Sequence, residues 1–186
     1  MIATGGPSLD GTTFNPNTPT VYILVTDFTP LPEHLFKDGV KLITHQYQRP
    51  FPEVKSLNYQ TMVEAQPVRD AAGAFEVLYV DGKYVREAAT SNIFIIKNNT
   101  VITPNTDVLA GITRSIVVIL AQKQHTVKER PITVAELLDA DEVFLTATNK
   151  DILPVKQIDD RMYGVGQSTQ NLLTLFRSTY ANSPVN

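Results

Sequence analysis

The chain has 186 residues, 42% of them hydrophobic and 19% charged, with a net charge of −3, which suffices for one substantial buried core. The absence of cysteine excludes a disulfide framework, a zinc–thiolate site and a thiol nucleophile, and without a basic run nothing points to a nucleic-acid partner. Apolar runs such as Val21–Val25 and Ile116–Ala121 are too short to span a bilayer, and Met1–Gly6 lacks the basic and apolar regions of a signal peptide, so a cytoplasmic protein with no membrane partner is expected.

Residues Gly5–Pro19 are rich in Gly, Pro, Ser, Thr and Asn and read as a linker. Thr20–Asp27 is apolar and β-branched, the pattern of a buried strand. Gly39–Tyr47 reads as a second strand, stopped by Arg49-Pro50 and Pro52. The pattern turns helical from Ser56 to Ala72, with Pro67 kinking that helix or starting a new one. Phe75–Val80 is a strand followed by the turn Asp81-Gly82, and Asn92–Lys97 with Thr100–Thr103 form a hairpin around Asn98-Asn99. Ile112–Gln124 is predicted helical with an apolar stripe of Ile116, Ile119 and Leu120. Thr126–Pro131 is extended, and Thr133 to Glu136 has capping-box spacing for a short helix. Glu142–Thr146 and Ile152–Ile158 are strands, and a last helix runs from about Ser168 to Tyr180. Strands and helices interleave irregularly, which predicts an α/β or mixed α+β fold on a mixed sheet.

Four short segments carry candidate chemistry. Lys55, in Lys55-Ser56-Leu57-Asn58-Tyr59, reads by itself as a solvated surface lysine. Its predicted place at a helix start, where a cation opposes the dipole, suits a working neutral amine better. Glu87 follows a strand-turn-strand element and precedes Ala88-Ala89-Thr90-Ser91; from its neighbourhood it reads first as a hydrated turn carboxylate. Its functional reading is a carboxylate that keeps a cofactor ring nitrogen protonated. Gly111-Ile112-Thr113 opens a helix, where free N–H groups suit a phosphate, although an ordinary capped N-terminus has the same pattern. Thr146-Ala147-Thr148 closes a strand with hydroxyls that bond either a phosphate or their own turn. His34, His45 and His125 show no metal-ligand spacing, and the glycines match neither a dinucleotide loop nor a Walker loop.

In this order the four segments resemble the fold-type IV pyridoxal-phosphate enzymes, which include branched-chain and D-amino acid aminotransferases and aminodeoxychorismate lyase. Arg130-Pro131-Ile132, Asp141-Glu142-Val143-Phe144 and Pro154-Val155 leading to Ile158-Asp159 agree as well. The resemblance implies the large C-terminal lobe of the D-amino acid aminotransferase-like fold, a mixed sheet or barrel flanked by helices, over residues 20–186. Residues 1–19 would be the last strand of a small lobe and a linker, the rest of that lobe being absent. By position, Lys55 would be the Schiff-base lysine and proton shuttle, and Tyr59 would bond the phenolic oxygen of pyridoxal 5'-phosphate. Glu87 would face the pyridine nitrogen, and Leu109 would pack against the ring. Gly111, Ile112, Thr113 and Thr148 would hold the phosphate, and Ser91 would line the substrate pocket. The small lobe normally brings an arginine to the phosphate; Arg49 is the nearest candidate here and a disfavoured one. The partners implied are an amino acid, a 2-oxo acid and a second copy of the chain. Three readings follow: an aminotransferase, an aminodeoxychorismate lyase-like enzyme using the same lysine, and a non-catalytic module of this fold.

Overall fold

The computed structural model describes residues 1–8, 10–13, 15 and 17–181, in two units that divide after Pro30. In the first, β1 (Ile2–Thr4) pairs antiparallel with β2 (Thr20–Tyr22), Ala3 opposite Val21. Between them Asp10 accepts the N–H and hydroxyl groups of Thr12 and Thr13; the Thr12 backbone bond leads these in holding its carboxyl well below the usual carboxylate range. The expected buried strand over Thr20–Asp27 is corrected. The ladder ends at Tyr22, and Ile23, Leu24 and Val25 are exposed. A β-branched apolar run favours extended backbone, but a partner strand of three residues pairs with no more than three.

The second unit opens with α1 (Glu33–Asp38), a helix with no side-chain cap, marked in the sequence only by Glu33 in its first turn, Lys37 in its last and the glycine that ends it. Gly39 has φ 72° and returns its N–H to Leu35, a helix end that glycine adopts without strain. There follow β3 (Val40–Gln46), α2 (Gln60–Glu64), α3 (Gln66–Ala71), β4 (Glu76–Val80) and β5 (Tyr84–Ala88). Next come β6 (Asn92–Lys97), β7 (Thr100–Thr103), α4 (Ile112–Ala121), β8 (Thr126–Glu129), β9 (Ile132–Thr133) and α5 (Val134–Leu138). The unit ends with β10 (Glu142–Ala147), β11 (Asp151–Ile158), β12 (Arg161–Met162), α6 (Gln167–Phe176) and a π-helical turn, Arg177–Ala181. Pro67 falls in the first turn of α3, so it starts a new helix, where its missing N–H costs nothing.

The strand order is β8-β7-β6-β10-β11-β3-β4-β5-β9, with β12 beside β11. Three of these pairings, β7–β8, β11–β3 and β3–β4, are parallel and the others antiparallel, which is the mixed sheet expected. Five strand spacings separate β6 from β5, about 24 Å in a flat sheet. Yet Ala88 and Asn92 are joined by three residues, which reach at most about 14 Å. The sheet therefore curls into a half-barrel, and the Ala88–Asn92 turn is its seam. Inside, the rings of Phe94 (β6) and Phe144 (β10) stack at 4.8 Å, both fully buried.

Of the expected α4 stripe, Leu120 is buried and Ile116 packs against the core, but Ile119 is exposed, and Val117, Val118 and Ala121 complete the inward face. Apolar side chains on nearly every side of this helix left its inward face ambiguous. Glu142 accepts the N–H of Ser168 and of Thr169 and the Thr169 hydroxyl, capping α6 from β10. At α5 the capping box forms as predicted, between Thr133 and Glu136. Thr133→Ala is expected to lower stability by about 1 kcal/mol, read from urea unfolding. The Arg130 hydrogen bond, with those from Thr133, pulls the Glu136 carboxyl down from 4.5 to about 2. That contribution is present above pH 4.5 and is lost as pH falls through about 2; the half-exposed pair adds only about a few tenths of a kcal/mol. Among the described residues, no helix is long and apolar enough to cross a membrane.

Candidate active site

A cleft of about 290 Å³ opens beside the seam. Its first wall is the loop after β3. Pro50 and Pro52 keep this loop from becoming helix, and the Arg49 guanidinium holds it together. Arg49 donates through Nη1 to the Val54 carbonyl at 2.7 Å, through Nη2 to the Pro52 carbonyl, and through Nε to Glu87 Oε1 at 2.9 Å. Three of its five N–H donors are thus committed to the loop and to Glu87. Lys55 projects from this loop. It is exposed and, among the described residues, its amine has no hydrogen-bond or ion-pair partner. The expected helix start at Lys55 is corrected, since α2 begins at Gln60. Tight turns, Ser56 N–H to Val54 and Tyr59 N–H to Leu57, occupy the interval, so Lys55 does not sit at the start of α2.

The seam turn forms the second wall. Glu87, at the end of β5, is 5% exposed. Besides Arg49 it accepts the Leu109 N–H at 2.9 Å through Oε2, so it is a buried, paired carboxylate and not a hydrated one. Ser91 donates its hydroxyl to Glu76 Oε2 at 2.9 Å. With that proton committed, its oxygen offers the cleft only lone pairs. Asn92 donates through Nδ2 to the Leu109 carbonyl at 2.7 Å and fixes the 109–111 segment.

That segment leads into α4. Gly111 is the N-cap and supplies no side-chain bond, so the N–H groups of the first turn, Ile112 and Thr113 among them, remain available with the positive end of the dipole. The end of β10 and the turn after it add to the lining: Thr148 in the turn is exposed, and Thr146 within β10, 1% exposed, has a hydroxyl with no partner among the described residues. Lys55, Tyr59, Glu87, Ser91, Leu109, Gly111, Ile112, Thr113 and Thr148 all line this one cleft.

Sequence reasoning missed other members. Tyr79 and Tyr47 meet edge-on at 5.0 Å in the cleft wall. Burial, then the neighbouring Tyr47, Glu76 and Glu87, push the Tyr79 phenol from 10.0 up to about 12, against the pull of Arg49. The unfolded chain loses this proton first, so stability is expected to fall as pH rises from 10 towards 12; phenolate absorbance of folded Tyr79→Phe against the parent checks this. Glu76 and Lys150 are buried behind the seam turn, and no local signal marks either. Among the described residues, no cluster of His, Cys, Asp or Glu is arranged to hold a metal.

The family described as Amino-transferase class IV matches residues 1–158. D-alanine aminotransferase of Bacillus licheniformis is 34% identical over 155 residues, covering 80% of this chain and 55% of that enzyme. The putative branched-chain amino acid aminotransferase of Methanocaldococcus jannaschii is 38% identical over 171 residues, covering 86% of this chain and 58% of that enzyme. Among solved structures, a branched-chain amino acid aminotransferase with pyridoxamine 5'-phosphate superposes with a TM-score of 0.75 at 29% identity, covering 84% of this chain and 56% of that one. The 4-amino-4-deoxychorismate lyase of Pseudomonas aeruginosa gives 0.72 at 28%, covering 81% and 58%. The chain spans 58% or less of the length of the curated relatives it matches. Carried over most of its length by sequence and by the curled mixed sheet alike, the likeness shows that the chain belongs to the class IV aminotransferases, a family that works with pyridoxal phosphate.

Proposed function

We propose that the cleft holds pyridoxal phosphate and serves amino-group transfer between an amino acid and a 2-oxo acid, with Lys55 as the amine that bonds the cofactor. The observation that carries this reading is the partnerless Lys55 amine on the same cleft as the buried Glu87 carboxylate and the uncapped start of α4. The donor set fits the group. The α4 N–H groups, with the hydroxyls of Thr113 and Thr148, suit a phosphate. The orphaned Thr146 hydroxyl is a further buried polar group for a ligand to satisfy. Glu87, an anion held in place by Arg49 and Leu109 N–H, suits a protonated ring nitrogen. When bound, the cofactor supplies an electron sink for the pair left at the substrate α-carbon.

The chain's residues then divide the work. Lys55 Nζ takes the α-proton as general base and returns it. Glu87 keeps the ring nitrogen protonated, Tyr59 bonds the phenolic oxygen, and Leu109 packs on the ring. Ser91 meets the substrate as an acceptor. In this reading residues 20–186 are the cofactor lobe and residues 1–19 the end strand and linker of a smaller one. A lyase would use the same residues, and the likeness to the Pseudomonas lyase supports that second reading.

The test is to mix the protein with pyridoxal phosphate, follow visible absorbance, reduce with borohydride and map the modified peptide. A visible band and an adduct at Lys55, both lost in Lys55→Ala, are expected. No band, or an adduct that survives Lys55→Ala, refutes the assignment. Transfer of an amino group to an added 2-oxo acid, as against elimination from an aminodeoxychorismate, separates the two enzymes.

A further inference from the structure

Lys150 lies in a tight turn, a place that favours a solvated lysine, yet it is 6% exposed. Its Nζ donates to Thr90 Oγ1 at 2.6 Å and lies 3.5 Å from Glu76 Oε2. Glu76, 5% exposed, accepts the Thr90 N–H, the Thr90 hydroxyl at 2.9 Å and the Ser91 hydroxyl at 2.9 Å. With Lys150, these donors fill the acceptor sites of one carboxylate. A buried ion pair gains little stability over apolar packing of the same shape, because both charges lose their water. What this pair does supply is a connection between two turns.

Lys150 closes the turn after β10 by donating its N–H to Ala147 at 3.0 Å, and that turn carries Thr148. Thr90 belongs to the seam turn, closed by the Ala88 N–H to Ser91 at 2.8 Å, and that turn carries Ser91. Both turns line the cleft. A second pocket of about 120 Å³ borders the seam turn at Ala89 and Thr90 and is lined also by Met62, Arg69, Phe75 and, from the tie itself, Glu76 and Lys150. The seam turn thus borders open space on that side, where close packing does not hold it; the Ala89 N–H bond to the Val77 carbonyl at 2.9 Å and the polar tie do.

We propose that Lys150 is a positioning residue for the cofactor cleft: with Glu76 it is a strut that fixes the Thr90–Ser91 turn relative to the Thr148 turn, and so sets the separation of two cleft walls. The inference rests on the reading that the cleft binds pyridoxal phosphate. Loss of the strut lets the walls part, so ligand groups that reach one wall are misplaced from the other. Affinity falls although no residue touching the ligand has changed.

The test is a thermodynamic cycle on pyridoxal phosphate affinity, measured by absorbance titration of the parent, Lys150→Met, Thr90→Val and the double variant. The titrations are run well below every thermal midpoint, so that loss of stability does not enter. Each single variant is expected to raise Kd about tenfold, and the double variant to fall well short of the product of the two, because both break the Lys150–Thr90 bond while each also breaks one bond of its own to Glu76. A purely structural role would lower the midpoints and leave Kd unchanged. A Kd within about twofold of the parent in Lys150→Met, or a product of the two single effects in the double variant, overturns the strut. If Lys150→Met does not fold, Thr90→Val carries the test, since it leaves the Glu76–Lys150 charge pair in place; its expected and refuting outcomes are the same. A parent protein that takes up no pyridoxal phosphate sinks the cofactor reading and this inference together. Normal uptake by parent and variants alike sinks the strut alone.

Discussion

Glu87→Ala is expected to destabilise the protein by about 3–5 kcal/mol, the cost of leaving one member of a buried ion pair without the other. Glu87 and Arg49 side chains are 7% and 13% exposed, so water replaces the lost partner poorly. Two groups are stranded, the Arg49 Nε–H and the Leu109 N–H. Because Arg49 also holds the Val54 and Pro52 carbonyls, the loop bearing Lys55 loosens with it. Glu87→Gln keeps an acceptor for Leu109 and loses the charge, so its cost is smaller, about 1–3 kcal/mol. Urea unfolding of the two variants reads the difference, and an alanine variant within about 1 kcal/mol of the parent contradicts the buried pair. A compensated variant, Arg49→Met with Glu87→Leu, separates structure from function. It removes both charges and is expected to regain much of the stability. On the proposed role of Glu87 it still lacks an anion for the ring nitrogen, so cofactor uptake is expected to stay weak.

That pair also shows where sequence reasoning ends. The Glu87, Gly111 and Thr148 segments are each recognisable in a few consecutive residues, because a seam turn, an uncapped helix start and a hydroxyl turn are local devices. The strands were legible for the same reason: β4, β6 and β10 are continuous apolar runs, and two asparagines at positive φ close the β6–β7 hairpin. Burial of a charge is not local. Nothing around Glu76 or Lys150 in the chain distinguishes them from solvated residues; they are buried because β4 and the turn after β10 come together behind the seam. Lys55 falls outside the helix because Ser56, Asn58 and Tyr59 are weak helix formers and this stretch makes turn bonds to Val54 and Leu57 instead, so the helical pattern beginning at Gln60 does not extend back to it. Ile119 was assigned inward because periodicity cannot orient a helix that is apolar nearly all round. In the sequence Arg49 stands out only as a disfavoured candidate for the phosphate arginine, and only the fold brings it against Glu87.

Gly111→Ala is expected to lower pyridoxal phosphate affinity by about ten- to a hundredfold, what the loss of one hydrogen bond to a charged group costs, about 1.5–3 kcal/mol. Its backbone angles, φ −68° and ψ 139°, suit any residue, so conformational freedom is not what requires glycine here. Space is. A Cβ at this position would lie 2.2 Å from Asn92 Oδ1 and 3.4 Å from Asn92 Cγ. Asn92 cannot simply swing aside, because its Nδ2 holds the Leu109 carbonyl at 2.7 Å, and that same residue's N–H is bonded to Glu87. Relief therefore moves either the 109–111 segment or the first turn of α4, and both are cleft walls. Removing the obstacle tests the mechanism. In an Asn92→Ala background the extra methyl has room, so Gly111→Ala is expected to add little further loss of affinity there. Equal losses in both backgrounds would mean that the methyl obstructs the ligand itself and not Asn92, and the close approach of Gly111 to Asn92 would then not be what shapes the phosphate end of the cleft.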